Sequence, residues 1–292
     1  MNRTYLVSLV VTGVCGPLVF SASAQNSLPD RTAPEMPVLL AQAAIEPPPT
    51  STPVPPASRS GVDVYTSQHQ LSSGFGNWRE VGIRGSYESG AHRLQAELAS
   101  MRRYGESGNY VGAGDTVTFN EDWFASLSAG AGDGAFYLPR YRLDAFVNRK
   151  FLPGRNLIGT VGAGYYRAPD GHADRSASLG ATYYFSQPLV VQGEVRFNNS
   201  TPGNIRTRQQ FIAATWGRDK ETQVIGRYGW GREGYQTVAQ GMSLVDFRSN
   251  EASLKVRHWL GPNWGVQVGV ERYRNPFYVR SGGNLGFFWQ LP

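Results

Sequence analysis

The 292-residue sequence is poor in cysteine, histidine and methionine, with one, four and four of them. The single cysteine, Cys15, lies in an N-terminal segment that we predict to be removed, which excludes disulfides and thiol chemistry from the mature chain. No apolar run reaches the length of about 20 residues that a membrane-spanning helix needs. The sequence also lacks a Gly-x-Ser-x-Gly elbow, a His-Glu-x-x-His motif and a phosphate-binding loop. We therefore expect no enzyme, no cofactor and no metal site.

The one catalytic alternative concerns His172, which lies in the sequence beside Asp170 and Asp174. A barrel hydrolase could use such a histidine as a surface acid or base. A solvated loop histidine is far commoner, and we favour that interpretation. The other histidines are His69, His92 and His258.

Glycine and aromatic residues are plentiful, with 35 Gly, 15 Tyr, 14 Phe and 7 Trp. This composition disfavours helices and suits pleated, twisted sheets. The formal net charge is +6. A nucleic-acid-binding protein would cluster its basic residues, whereas here arginines are spread along the chain among acidic ones. We therefore expect no nucleic-acid partner.

The N-terminal region predicts export. Arg3 precedes a largely apolar stretch from Tyr5 to Phe20, and Ala22-Ser23-Ala24 fits the small-x-small pattern of a cleavage site. We predict a signal peptide over residues 1–24, with acylation of Cys15 as the alternative. Nine of the 18 prolines fall between Leu28 and Arg59, so residues 25–60 are expected to form a disordered, proline-rich periplasmic tether.

From residue 61 onward, apolar and polar residues alternate with a period of two. Trp264, Val266, Val268 and Val270 share one face, for example, and Gln267 lies on the other. The segments run to roughly 10–13 residues, whereas strands of globular proteins run to about 5–6 and membrane-spanning strands need about 9–11. We predict an all-β fold over 61–292: a transmembrane, antiparallel, up-and-down β-barrel of about 14 strands, within a range of roughly 12 to 16.

The predicted connections alternate between short and generally longer ones. The short ones are 88–91, 120–122, 152–156, 186–188, 218–221 and 260–263, and the longer ones are 72–77, 105–109, 133–139, 167–174, 198–205, 234–243 and 275–283. Outer-membrane barrels have short periplasmic turns and longer external loops. With an even strand count, both termini are predicted to be periplasmic, in the outer membrane of a Gram-negative bacterium.

Aromatic residues collect near the predicted strand ends, as the aromatic girdles of such barrels require. They are Trp123, Tyr165, Tyr166, Tyr183, Phe185, Trp216, Tyr228, Trp230, Trp259, Trp264 and Trp289. The last residues resemble the C-terminal assembly signal of outer-membrane barrels, with Asn284, Gly286, Trp289 and Leu291 at the matching positions and the final Pro292 departing from it. The expected partners are the barrel assembly machinery and outer-membrane lipids including lipopolysaccharide.

The runs FYLPRYRL (136–143), FLP (151–153) and GAGYYR (162–167) resemble the YaiO family of outer-membrane barrels. The likeness continues through 178–185 and 189–197 and covers roughly residues 60–292. It implies a surface-exposed or envelope-glycan-associated barrel, since similar barrels occur as modules of polysaccharide export systems. It supplies no catalytic residues.

If the apolar faces meet lipid, the charged residues of the strands must face the lumen, because Arg or Lys at mid-membrane costs about 2–4 kcal/mol. The predicted lumenal charges are Glu80, Arg84, Arg93, Glu97, Arg103, Arg142, Asp144, Glu194, Arg196, Arg227, Glu251, Lys255, Arg257 and Glu271. These are eight cations and six carboxylates. One interpretation is a mutually neutralising ladder. The other is a mildly cationic path for anionic or sugar-like solutes.

The sequence thus predicts an outer-membrane barrel that serves polysaccharide export or surface display, with periplasmic export components contacting the tether. A passive, porin-like pore for small solutes is the alternative. An outer-membrane barrel enzyme acting on lipid or peptide is a more distant one.

Overall fold

A computed structural model describes residues 60–239 and 241–291. The predictions for the signal peptide, its cleavage site and the tether up to residue 59 lie outside the described residues, as does Pro292. The fourteen strands are β1 (Gly61–Leu71), β2 (Asn77–Ser89), β3 (His92–Arg103), β4 (Glu106–Thr118), β5 (Trp123–Gly132), β6 (Tyr141–Phe151), β7 (Leu157–Arg167), β8 (Ala173–Tyr184), β9 (Leu189–Thr201), β10 (Ile205–Gly217), β11 (Thr222–Ala239), β12 (Met242–Trp259), β13 (Trp264–Arg274) and β14 (Val279–Gln290).

The strands form one closed antiparallel barrel in which each strand pairs with its neighbours in sequence. Closure occurs between β1 and β14, whose register runs from Gly61 opposite Gln290 to Leu71 opposite Arg280. The predicted fold class and strand number are confirmed. Among the described residues, no helix is long and apolar enough to cross a membrane. Because the strand number is even, the first and last described residues, 60 and 291, lie at one end of the barrel, here called the terminal end; the opposite end is the far end.

Alternation with a period of two decides which side chains face outward. The outer wall carries a band of exposed apolar side chains; Val161, for example, is 59% exposed. The intervening residues, such as Glu97 and Asp144, are buried inside the barrel. An apolar exterior around a polar interior is the arrangement of a membrane barrel and the reverse of a soluble one.

The predicted alternation of short and long connections is wrong. Residues 104–105 alone separate β3 from β4, and 240–241 alone separate β11 from β12, although both connections were predicted to be long. Strands β11 and β12 each run for 18 residues instead. Their polar residues continue the hydrogen-bonded ladder because partners face them inside the barrel: Glu233 accepts a hydrogen bond from Tyr273, and Gln236 donates one to Tyr278.

Many aromatic rings lie flat against glycines of adjacent strands. A Cβ atom on Gly82 would overlap the Tyr65 ring, and one on Gly130 would overlap Tyr110. Glycine leaves room for these rings on the inner wall, which accounts for the joint abundance of glycine and aromatics. Most of the predicted girdle residues do face outward, including Trp216 and Trp230, but Trp259 is buried and Tyr166 lines the lumen.

Candidate functional site

The lumen holds a cavity of about 470 Å³, inside the range of about 300–1,000 Å³ usual for small-molecule sites. Twelve of the fourteen predicted lumenal charges line it. The two exceptions, Arg93 and Arg257, lie on the inward faces of β3 and β12 nearer the terminal end. Period-two alternation therefore brings these charged side chains to one enclosed space.

The charged side chains form a ladder of ion pairs around the wall. Arg84 Nε lies 2.6 Å from Glu97 Oε1 and Arg227 Nη1 lies 2.7 Å from Glu251 Oε1, in both cases between adjacent strands. Arg142 pairs with Asp144 on its own strand at 2.5 Å. Buried charges need such partners because desolvation penalises an isolated ion.

Tyr65 links two carboxylates of the ladder. Its hydroxyl lies 2.8 Å from both Glu80 Oε1 and Glu97 Oε1, so it can donate to either carboxylate. Glu80 in turn receives Arg103 at 3.3 Å. Three strands, β1 to β3, are thereby joined on their inner faces by one polar network.

The predicted lumenal charges include more cations than carboxylates, whereas the residues that line the cavity do not. Sequence reasoning left out Asp174, Glu233 and Arg280, which also line it. The full lining has seven cations, Arg84, Arg103, Arg142, Arg196, Arg227, Lys255 and Arg280, and eight carboxylates, Glu80, Glu97, Asp144, Asp174, Glu194, Glu233, Glu251 and Glu271. Formal charge nearly cancels, so the lining offers no net attraction to anions. Arg280 was missed because it was assigned to a loop rather than to β14.

Near the far end, aromatic and arginine side chains of β13, β14, β2 and β3 stack against one another on the inner wall. The Trp78 ring has the Arg103 guanidinium at 4.6 Å and that of Arg280 at 4.8 Å. Arg280 is only 2% exposed, lies 5.0 Å from the Tyr273 ring and pairs with Glu271 at 2.5 Å. These four residues, Trp78, Arg103, Tyr273 and Arg280, are called the far-end layer.

The segment between β5 and β6 was predicted to form an external loop. It packs beside this layer instead. Ala135, Tyr137 and Leu138 are buried in a small apolar cluster. The Tyr137 hydroxyl donates to the carbonyl oxygen of Met101 at 2.9 Å, and burial raises the pKa of Tyr137 to about 12. The signal in the sequence was the run Phe136-Tyr137-Leu138, which is too apolar for a solvated loop.

Several residues that line the cavity carry a buried polar atom with no hydrogen-bond partner within residues 60–239 and 241–291. They include Trp78 at Nε1, Arg103 at Nε and Gln267 at Oε1. Buried polar groups in native proteins are nearly always satisfied, by protein, water or ligand. The wall of the cavity therefore contains hydrogen-bonding groups that the described protein atoms leave unsatisfied.

A second stack of aromatic and arginine side chains lies near the terminal end. The Arg257 guanidinium lies 3.6 Å from the centre of the Phe288 ring and pairs with Asp63 at 3.4 Å. Trp259 packs edge-on against Phe288, and its Nε1 donates to Gln290 Oε1 at 3.2 Å. Arg257, Trp259 and Phe288 are called the terminal-end layer, and none of them lines the cavity.

All four histidines make contacts with other side chains. His172 lines the cavity, with Nδ1 2.8 Å from Asp170 Oδ2 and its ring 4.3 Å from that of Tyr235. His69 lies 3.7 Å from Glu271, and the remaining contacts are His92 with Asp115 and His258 with Thr222. In the part of the chain that the structure describes, no group of three or more His, Cys, Asp or Glu side chains is placed to hold a metal ion.

The residues of the predicted assembly signal lie in or just after β14. Trp289 and Leu291 are exposed on the outer wall, whereas Asn284 and Gly286 face inward. The side chain of Gln267 packs against Gly286, where a Cβ would lie 2.7 Å from its amide nitrogen.

The closed barrel, its apolar exterior and its polar lumen define an outer-membrane β-barrel. Among solved structures, the chain is similar to the CymD monoaromatic hydrocarbon channel at 7% identity and a TM-score of 0.54, over 80% of this chain and 88% of that one. It is also similar to a bacterial polysaccharide outer membrane secretin (11% identity, TM-score 0.49, 80% and 98% covered) and to an anion-selective porin from Comamonas acidovorans (10%, 0.46, 80% and 99%).

The family described as "YaiO membrane beta barrel domain" matches residues 59–236. The chain belongs to this family, as the resemblance predicted. A comparison with curated proteins finds no match.

Proposed function

We propose that this outer-membrane barrel serves the export or surface display of an envelope glycan, and that it does so by binding sugar units in its lumen. One observation carries the proposal: a nearly charge-neutral polar cavity in which Trp78 Nε1, Arg103 Nε and Gln267 Oε1 have no protein partner within the described residues. A sugar carries several hydroxyl groups, each of which can both donate and accept a hydrogen bond. A chain of sugar units along the lumen would offer both donors and acceptors to such atoms.

The charge balance supports a neutral ligand over an anionic one. Seven cations and eight carboxylates line the cavity, and ion pairs such as Arg84–Glu97 hold many of them. A site selective for anions would leave arginines unpaired and unopposed. The proposed role is binding and passage, with no chemical step.

The proposal also includes cleavage after Ala24, insertion into the outer membrane of a Gram-negative bacterium and both termini in the periplasm. The tether would then contact periplasmic export components, and the barrel assembly machinery would recognise β14. N-terminal sequencing of outer-membrane material tests the first point: it should begin at Gln25, and an acylated Cys15 would contradict it.

A binding measurement tests the lumenal site. Purified barrel is titrated with neutral oligosaccharides while tryptophan fluorescence is recorded, and Trp78→Phe is compared with Trp259→Phe. Trp78→Phe removes a free donor, so it should weaken binding about 5- to 10-fold, whereas Trp259→Phe should leave the dissociation constant unchanged. Equal effects in the two variants, or no saturable binding by the parent protein, would overturn the proposal.

A passive pore is the second candidate, because the cavity extends along much of the lumen. Single-channel conductance in planar bilayers separates the two functions. A glycan-binding barrel should show small, sugar-blocked currents. Large, steady currents that neutral sugars do not reduce would favour the pore.

A further inference from the structure

An exposed group of arginines lies on the outer wall near the far end. It spans four consecutive strands, β10 to β13, and consists of Arg206, Arg208, Arg232, Arg248, Arg272 and Arg274. This group is called the arginine arc. Its members face outward because each lies an even number of residues from an exposed apolar side chain of its own strand, as Arg208 does from Ile212.

The arc lies directly beyond the apolar band. On β13 the highly exposed Val270 is followed, on the same face, by Arg272. On β11 the stacked pair Tyr228 and Trp230, 5.5 Å apart, is followed on that face by Arg232. Two residues of strand span about 7 Å. Since outward aromatic rings mark the membrane interface, the arc lies at the level of lipid headgroups.

The arc carries an uncompensated positive charge. Arg232 pairs with Asp246, its Nε lying 2.9 Å from Oδ1. Within residues 60–239 and 241–291, the other five arginines of the arc form no ion pair. Arg232 also stands directly opposite Arg248 in the ladder, and like charges so placed repel each other unless an anion lies between them.

The terminal end of the same strands is different. The turn between β10 and β11 interleaves Arg218 and Lys220 with Asp219 and Glu221, all of them exposed. The excess of arginine is therefore confined to the far end of this part of the wall.

We propose that the arginine arc binds the phosphate groups of a phosphorylated glycolipid in the surrounding leaflet. Guanidinium groups bind phosphate oxygens in a bidentate manner, and several at headgroup depth suit a lipid with more than one phosphate. The occupant is a lipid rather than a soluble acidic protein because the arc is continuous with the lipid-facing band. In a Gram-negative outer membrane such glycolipids occupy the outer leaflet, so the far end faces the cell exterior. This surface is separate from the lumenal site and independent of glycan binding, and it rests only on the proposed insertion into a Gram-negative outer membrane.

Binding of bisphosphorylated lipid A to the purified, folded barrel tests the proposal. The parent protein should retain this lipid in native mass spectrometry and should bind the same lipid without phosphates at least 10-fold more weakly. A variant with Arg206, Arg208, Arg272 and Arg274 all changed to Gln should bind bisphosphorylated lipid A at least about 100-fold more weakly than the parent. The matched control changes four terminal-end cations, Arg149, Arg155, Arg218 and Lys220, to Gln, and it should bind like the parent.

Several outcomes would overturn the proposal. They are equal affinity for the two lipids, unchanged binding by the arc variant, and an equal loss in the control variant. If inorganic pyrophosphate competes as strongly as the lipid does, the surface recognises a soluble anion and the proposed lipid is wrong. Folding is checked by the shift in gel mobility on heating. If the fourfold variant fails to fold, the double variant Arg272→Gln/Arg274→Gln should still weaken lipid binding at least about 10-fold.

Discussion

The two layers of stacked arginine and aromatic side chains contain the same residue types but differ in how completely their hydrogen bonds are satisfied. In the terminal-end layer, Arg257 has Asp63 and the Phe288 ring, and Trp259 Nε1 has Gln290. In the far-end layer, Trp78 Nε1 and Arg103 Nε face the cavity and have no hydrogen-bond partner among the described residues. A satisfied layer stabilises the barrel, whereas an incompletely satisfied one has hydrogen-bonding capacity to offer a ligand.

This difference follows from position along the strands. The terminal-end layer lies outside the cavity, and its Arg257–Asp63 ion pair joins β12 to β1 across β13 and β14. The far-end layer lies where the cavity reaches the far end and where the β5–β6 segment packs inward.

The largest effect expected is an all-or-none difference in labelling between the two ends. An epitope inserted after Gly241, in the β11–β12 hairpin at the far end, should be reached by antibody on intact cells. One inserted after Lys220, at the terminal end, should be hidden until the outer membrane is permeabilised, because the proposed periplasmic termini and the lipid-binding arginine arc both place the far end outside the cell. The reverse pattern would invert the barrel, and labelling of both sites on intact cells would contradict the topology.

Phe288→Ala should destabilise the barrel by about 3–5 kcal/mol, because Phe288 is 0% exposed and its loss leaves a cavity between Arg257 and Trp259. The temperature at which heating changes gel mobility should fall. Leu285→Ala is the control on the same strand, since Leu285 is exposed on the outer wall. Equal shifts in the two variants would show that the terminal-end layer contributes no special stability.

Arg280→Gln should cost about 2–3 kcal/mol, less than removal of a fully dry ion pair, because the two carboxylates left behind, Glu271 and Glu251, are 13% and 20% exposed. It removes the pairs with Glu271 and Glu251 and the stacking on Trp78. The double variant Arg280→Gln/Glu271→Gln should recover part of the loss, as measured by urea titration in micelles. No recovery would mean that packing of Arg280, rather than charge, dominates.

The fold could be predicted from the sequence because membrane burial imposes period-two alternation over whole strands. That pattern placed Glu97, Arg227 and Glu271 in the lumen without any knowledge of neighbours. The connections were harder to predict, since polar residues such as Gln236 continue a strand when a partner like Tyr278 lies opposite, and the sequence does not show that partner.

The candidate site was only partly predictable for the same reason. Arg280 was missed because 275–283 was assigned to a loop, and Glu233 because the predicted strand stopped there, whereas β11 continues to Ala239. The roles of Trp78 and Tyr137 depend on contacts between segments far apart in sequence, such as the approach of Arg280 on β14 to Trp78 on β2. The inference of a ligand depends on atoms left unpaired, and only the three-dimensional structure shows these.

The smallest effect expected is the difference in stability between Trp259→Phe and Trp78→Phe, which corresponds to one hydrogen bond. Trp259→Phe and Trp78→Phe delete the same atoms from buried rings stacked with arginine, so their packing losses should be similar. Trp259→Phe also leaves Gln290 Oε1 without the indole donor, whereas Trp78 Nε1 has no partner to lose among the described residues. Trp259→Phe should therefore be the more destabilising change by about 1 kcal/mol, measured by urea titration without added ligand. Added oligosaccharide should stabilise the Trp259 variant more than the Trp78 variant, because only the former retains the free donor in the cavity. Equal stabilities without ligand would mean that Trp78 Nε1 is satisfied by water as well as Trp259 Nε1 is by Gln290, and the contrast between the layers would disappear.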